Sequence, residues 1–242
     1  MLVVAQIYRL SGLFGAGVWG ANVFLLADYN GNLTLVDTGF KGRARQILRQ
    51  IEKVGHSPLK VSRIIITHHH LDHIGSLALL KEYTRAHVLA HAADAPYITG
   101  QMPQPGPLRP AWLNRAFLRF PQLLKTSPVA VDEFLKDGDE LPVLGGMKIY
   151  HTPGHTPGSI CLYLKKKWVV IAGDLVSNRF GLRLPSRQFT ADFAQEIDSI
   201  KRIAALDFDI LCVGHGAPVM GGAHRALKDL AERLAKAQAG KS

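Results

Sequence analysis

The stretch Val61-Ser62-Arg63-Ile64-Ile65-Ile66-Thr67-His68-His69-His70-Leu71-Asp72-His73 decides how this chain is read, because an apolar run with the composition of a strand passes straight into an HxHxDH turn. Alternate side chains of an extended segment share a face, so His68 and His70 point one way and His69 the other. Asp72 and His73 turn the corner and face back, which lets one turn feed two adjacent metal ions. The tract is internal and is followed by Gly75 and a helical pattern, so it reads neither as an expression tag nor as low-complexity filler.

Outward from this turn, residues 22–27 and 33–36 read as strands of a hairpin around Asn30-Gly31, and residues 43–54 as a helix with Ile47, Leu48 and Ile51 on its apolar stripe. Residues 62–67 are a strand, 77–83 a helix and 86–90 a strand. Further strands are expected at 147–152, 160–164, 168–172 and 210–213, with Lys165-Lys166-Lys167 as a turn. A helix over 191–205 is expected to be capped by Thr190, and a last amphipathic helix carries Leu227, Leu230, Ala231 and Leu234 at i, i+3, i+4, i+7 spacing. Residues 1–10 read as one opening strand. Strands mixed with helices in both halves predict an α/β (α+β) fold, a four-layer αββα sandwich of two mixed β-sheets flanked by helices. Residues 95–126 break this rhythm with prolines and aromatics and suit a lid, a pocket wall or a dimer contact.

Composition narrows the class. A chain of 242 residues, 47% hydrophobic, can bury a full core as one domain over 1–242. The apolar start lacks a basic leader and a small-residue cleavage site, and no apolar run reaches membrane-spanning length, so a soluble, cytoplasmic protein without a membrane partner is expected. Cys161 and Cys212 lie in apolar strands without CxxC spacing and read as reduced core residues, with a disulfide open only if their strands are neighbours. The net charge of +10 is spread along the chain, which fits a solvated surface better than a nucleic-acid face.

Four more segments end an expected strand with a donor: Asp37 after Val36, His155 in Thr152-Pro153-Gly154-His155-Thr156, Asp174 after Gly173, and His215 after Gly214. Each alone reads as a turn or loop residue, but the four in this order around one HxHxDH turn do not. Over nearly its whole length the chain resembles the metallo-β-lactamase-fold superfamily of hydrolases. The resemblance implies that His68, His70 and His155 hold one metal, that Asp72, His73 and His215 hold a second, that Asp174 bridges them, and that Asp37 orients the turn by hydrogen bonds. Two divalent ions are implied, with zinc favoured by imidazole and carboxylate donors and Fe, Mn or Co also fitting. The resemblance further implies Asp72 and Asp174 as the catalytic carboxylates, with Asp72 expected to move the leaving-group proton.

Departures from branches of that superfamily set the expected substrate. β-Lactamases of this fold generally lack an aspartate at the place of Asp174. The flavodiiron branch has a glutamate in place of His70. Glyoxalase II is similar at Thr67-His68-His69-His70 but has a C-terminal helical domain, whereas one helix follows His215 here. Lactonases often carry a tyrosine shortly after the bridging aspartate, and Leu175, Val176, Ser177, Asn178 and Arg179 include none. The expectation is a hydrolase of a lactone, ester or thioester of a small molecule, with Tyr97, Trp112, Phe117, Phe180 and Phe189 as pocket walls. The alternative is phosphoester hydrolysis, RNase Z-like nuclease activity included, drawn from Arg179, Arg183, Arg187 and the basic charge; β-lactam hydrolysis or a non-catalytic metal-binding role ranks lower, and a homodimer is an open expectation. His69 should point away from the metals, and His56, His87, His91, His151 and His224 are expected to be structural or surface residues.

Overall fold

Strands buried on both faces lose the usual alternation and become continuous apolar runs, and this chain has several. Val23–Ala27, Leu33–Val36 and Ile160–Leu164 are buried at every position. The computed structural model describes residues 1–10, 20–106 and 125–239. Among the described residues the larger sheet runs in the order β1 (Leu2–Val4), β2 (Ile7–Leu10), β3 (Val23–Ala27), β4 (Leu33–Val36), β5 (Val61–Ile65), β6 (His87–His91) and β7 (Glu133–Leu135). Its first four strands pair antiparallel and β4 to β7 pair parallel. The second sheet is ordered β15 (Val219–Met220), β13 (Ile210–Cys212), β11 (Val169–Ile171), β10 (Ile160–Leu164), β9 (Met147–His151), β8 (Glu140–Leu141), and β12 (Ser177–Asn178) pairs with β14 (His215–Gly216) beside it.

Three apolar layers hold the sheets and helices together. Between the sheets, Phe24, Leu26, Val36, Ile65 and Leu89 meet Met147, Ile149, Leu162, Leu164 and Ile171. On the outer face of the first sheet, Leu25, Leu35, Ile64 and Val88 pack on Ile47 and Ile51 of α1 (Ala44–Lys53) and on Leu77 and Leu80 of α3 (Leu77–Thr84). On the outer face of the second, Val170, Leu211 and Val213 pack on Ile200 and Ile203 of α5 (Phe193–Ala204) and on Leu227 and Leu230 of α6 (Ala223–Ala239). This is the expected αββα sandwich. The short α2 (Leu71–Ile74) sits within the HxHxDH turn, and α4 (Ala95–Ile98) follows β6.

Two local expectations are corrected, and the reading of the cysteines as reduced core residues is met. The opening strand is a hairpin, β1 and β2, because Gln6 takes a left-handed backbone (φ 73) and turns the chain. The helix after Thr190 starts at Phe193 and is capped by Asp192, whose carboxylate accepts from the amides of Ala194 and Gln195. The strands of Cys161 and Cys212 are separated by β11, and the two thiols lie on opposite faces of the second sheet, so both cysteines are free. The segment 95–126 falls partly outside the described residues, at 107–124, taking Trp112 and Phe117 with it. No described helix is long and apolar enough to cross a membrane.

Candidate metal centre

Parallel strands deliver their carboxyl ends to one side, and the loops leaving those ends make the site. Asp37 follows β4 with a left-handed backbone (φ 62), a conformation aspartate tolerates better than most residues. Its Oδ1 accepts from the Thr67 amide at 2.8 Å, and its Oδ2 accepts from Thr67 Oγ1 at 2.8 Å and lies 2.7 Å from His73 Nδ1. Thr38 donates its amide and hydroxyl to the His73 carbonyl. Asp37 thus makes contacts at both ends of the HxHxDH turn.

The ring tautomers follow from these partners. Thr67 Oγ1 gives its proton to Asp37, so it can only accept from His68 Nδ1 at 3.1 Å. Thr190 Oγ1 gives its proton to the Ser186 carbonyl, so it can only accept from His155 Nδ1 at 3.1 Å. His73 Nδ1 donates to Asp37. His68, His73 and His155 are therefore each anchored through Nδ1, with Nε2 turned inward. Those three Nε2 atoms, together with Asp174 Oδ1, are buried without a hydrogen-bond partner.

The donors cluster in three overlapping groups, His68–His70–His155, His68–His73–Asp174 and Asp72–His73–His215, each within 4.8 Å. Asp174 Oδ1 is 3.5 Å from His73 Nε2, and its Oδ2 is 3.5 Å from His155 Nε2 and 3.1 Å from His215 Nε2. His215 Nε2 is also 3.1 Å from Asp72 Oδ2. Two ligand atoms about 2.0 to 2.1 Å from one tetrahedral ion stand roughly 3.4 Å apart, so these spacings fit donors that share a cation.

Electrostatics divides the same set: the carboxylates raise His73 and His215, while burial lowers His68, His70 and His155. Burial, reinforced by neighbouring imidazoles, pushes His68 and His70 well below the usual histidine range, and burial brings His155 down to about 4. These rings are neutral, as ligands must be. Burial opposes ionisation of Asp72, but His73 and His215 outweigh it and hold the carboxyl at about 2; Asp174 is held well below its usual range in the same way. Burial likewise opposes protonation of His215, and Asp174 and Asp72 raise it to about 9.

Glycines make the convergence possible at two points. A Cβ on Gly214 would collide with Asp174 Oδ1, and one on Gly154 (φ 137) would collide with the Glu196 amide nitrogen. The close approach at Gly154 lets the start of α5 hold the His155 loop: Asp192 donates its amide to the Gly154 carbonyl, Ala191 to the His155 carbonyl, and Ser199 its hydroxyl to the Pro153 carbonyl. Asn22 ties down the His215 loop through the carbonyls of Val213 and Gly216.

His69 points away from the cluster as expected. Its ring stacks on Tyr97 at 4.0 Å, and its Nδ1 lies 3.1 Å from Gln104 Oε1. Of the other wall candidates, Phe189 stands 6.2 Å from the His70 ring, whereas Phe180 is 76% exposed with Arg183 over its face. His91 and His151 stack at 3.9 Å, with His151 Nε2 on the Pro157 carbonyl, a support and not a donor pair.

Sequence reading missed Asp94. Its Oδ2 accepts from the His69 amide and Thr156 Oγ1, both at 2.8 Å, and its Oδ1 accepts from the Gly158 amide at 2.7 Å. It clamps the HxHxDH turn to the His155 loop. The signal that could have found it was an acidic residue just past the end of a parallel strand, as with Asp37. Thr190 reads in the sequence as a helix cap; its hydroxyl serves His155 instead.

The metallo-beta-lactamase superfamily model matches residues 16–215. The chain belongs to that superfamily. A probable metallo-hydrolase of Bacillus subtilis, YflN, is 30% identical over 92% of this chain and 91% of its own length. A metallo-beta-lactamase family protein of Thermus thermophilus superposes with a TM-score of 0.72 at 22% identity, covering 98% of this chain and 81% of that one. BJP-1, a subclass B3 metallo-beta-lactamase of Bradyrhizobium japonicum, superposes at 0.69 and 22%, covering 97% and 91%. At that identity the two structures share the fold with this chain. At the level of the superfamily the chain is a metallo-hydrolase.

Proposed function

We propose that this chain is a binuclear metal-dependent hydrolase that cleaves a lactone, ester or thioester of a small molecule, with two zinc ions as its resident metals. The observation that carries the reading is the group of three imidazole Nε2 atoms and Asp174 Oδ1, buried and unpartnered around one centre. Each unpaired buried polar atom costs about 1 to 3 kcal/mol, and a pair of adjacent cations would give all four a partner. His68, His70 and His155 would hold one ion, Asp72, His73 and His215 the other, and Asp174 both. Neutral imidazoles with carboxylates and no thiolate favour zinc over softer metals.

When bound, such a pair lowers the pKa of a water to about 7 and polarises the scissile carbonyl oxygen. The chain supplies the rest. Asp37, Thr67 and Thr190 fix the ring orientations. The Asp72 side chain is 20% exposed against 8% for Asp174, so Asp72 Oδ2 is the oxygen that reaches the substrate side and carries a proton to the leaving group. Phe189 beside His70 gives the acyl side an apolar wall. Phosphoester hydrolysis is the second reading, favoured by the arginines of the 179–187 segment; a polyanion substrate would show steep salt dependence and a small ester would not.

The test is metal analysis together with a hydrolysis panel of lactones, esters, thioesters, phosphodiesters, phosphotriesters and β-lactams. We expect two ions per chain and turnover of a carboxylic ester-like substrate. Asp174→Ala and His73→Ala should lose metal and lower activity by orders of magnitude. Wild-type turnover by either purified variant refutes the ligand assignment, and phosphodiester turnover above ester turnover replaces the substrate class.

A further inference from the structure

The donors of the candidate metal centre leave the carboxyl ends of β4, β5, β11 and β13, and the amino ends of those strands make the opposite pole of the sandwich. Three chain tips lead into that pole. Residues 28–32 enter β4, a short turn at Pro58–Lys60 enters β5, and Lys165-Lys166-Lys167-Trp168 enters β11. Lys167 joins the two sheets there: its ammonium lies 5.4 Å from the centre of the Tyr29 ring and 2.6 Å from Gln6 Oε1. The Trp168 carbonyl accepts from the amides of Asp209 and Ile210, which fixes the turn against β13.

Each tip offers a large apolar side chain to water beside a lysine. Tyr29 is 73% exposed, Leu59 68% and Trp168 52%, and among the described residues only Phe180 exceeds the first two. Lys60, Lys165 and Lys166 are exposed with them. The carboxylates at the same pole, Asp28 and Asp209, are turned onto the amides of Tyr29, Leu144 and Gly222. Lys60, Lys165, Lys166 and Lys167 against these two carboxylates leave the tips positive, in a chain whose overall charge is +10.

We propose that this pole is a docking surface for an anionic phospholipid bilayer, with the lysines at the headgroups and Tyr29, Leu59 and Trp168 dipping into the interface. Tyrosine and tryptophan favour that depth because each joins an apolar ring to one polar group, and lysine stems lie along apolar surface while their charges stay in water. Leu59 separates lipid from nucleic acid, since an aliphatic tip enters acyl chains but stacks on no base, and Lys167 covers one face of the Tyr29 ring that stacking would need. The lack of a membrane-spanning run bears on crossing a bilayer and not on lying against one. Docked by this pole, the molecule turns its candidate metal centre toward water, so substrate arrives from solution.

The experiment measures partition of the full chain onto vesicles of phosphatidylcholine alone and of phosphatidylcholine mixed with phosphatidylglycerol, by co-sedimentation at low and high salt. Wild type should bind the mixed vesicles, lose them as salt rises, and ignore the neutral ones. Lys165→Ala combined with Lys166→Ala should weaken partition about 25-fold, about 5-fold for each lysine. Arg45→Ala combined with Arg49→Ala takes the same charge from the exposed side of α1 and should leave partition within about 2-fold of wild type. Leu59→Ser should lower partition without changing its salt dependence. Brominated acyl chains should quench the tryptophan fluorescence of wild type more than that of Trp168→Phe.

A wild type that stays off the mixed vesicles, or binds both kinds alike, overturns the proposal. Equal loss in the Arg45 and Arg49 pair does so too, by making net charge the cause, and equal quenching in Trp168→Phe does so by putting another face on the lipid. Tighter binding of polyuridine than of mixed vesicles through Lys165 and Lys166 replaces the bilayer with nucleic acid.

Discussion

Asp94 does for the His155 loop what Asp37 does for the HxHxDH turn: one buried carboxylate satisfies backbone and hydroxyl donors that would otherwise strain two loops apart. Its three donors come from residues 69, 156 and 158. Losing the clamp frees His68 and His70 from His155 without removing any of the three. We expect Asp94→Ala to weaken zinc binding about 10- to 100-fold, the range for residues that orient metal ligands, and Asp94→Asn to do so less because one oxygen still accepts. Chelator competition measures it, and unchanged affinity would show the clamp to be dispensable. His68, His70, Asp72 and His73 were legible in the sequence because spacing alone puts them in one turn. Asp94, Asn22 and Thr190 were not, because their partners lie 25 to 194 residues away and only burial turns an ordinary polar residue into a support.

At the scale of elements, α5 is seated against the His155 loop through a position where the chain lacks a Cβ. Gly154 combines a left-handed φ of 137 with the Glu196 backbone standing where a Cβ would go, whereas Gly31 has a φ of 81 and nothing within 4 Å. Gly154→Ala should therefore destabilise by about 3 kcal/mol, from strain and overpacking together, and Gly31→Ala by about 1 kcal/mol, from strain alone. Denaturant midpoints decide this, and equal costs would mean that the helix start shifts freely. Most elements were legible from apolar runs and periodicity, with ends differing by a residue or two. The hairpin of β1 and β2 escaped because Ala5-Gln6 carries no turn residue, and Gln6 is left-handed only because pairing demands it. Asp192 and Thr190 are both competent caps, and the helix took Asp192 because Thr190 was held by His155 and Ser186.

Across the whole molecule, one buried acid links stability to pH. Burial, with Asp174 adding to it, pushes the Glu196 carboxyl up to about 9 from an ordinary 4.5, and neither of its oxygens has a hydrogen-bond partner. Between those values the folded chain holds a proton that the unfolded chain has released, so stability falls as pH rises through the window. In metal-free protein we expect Glu196→Gln to abolish that fall, standing further above the wild type at about pH 8.5 than at about pH 5.5 in urea midpoint. Parallel profiles would mean that Glu196 ionises freely in the fold.

The sequence by itself determined the sandwich, the order of its donors and the superfamily, since apolar patterning and the spacing within one turn are local properties of a chain. Only the tertiary structure decided which histidine nitrogen faces inward, which carboxylates clamp the loops, and that Lys167 meets Tyr29 at the pole opposite the metal centre. Those are contacts between segments far apart along the chain, and they exist only where packing excludes water and makes each buried polar atom choose its partner.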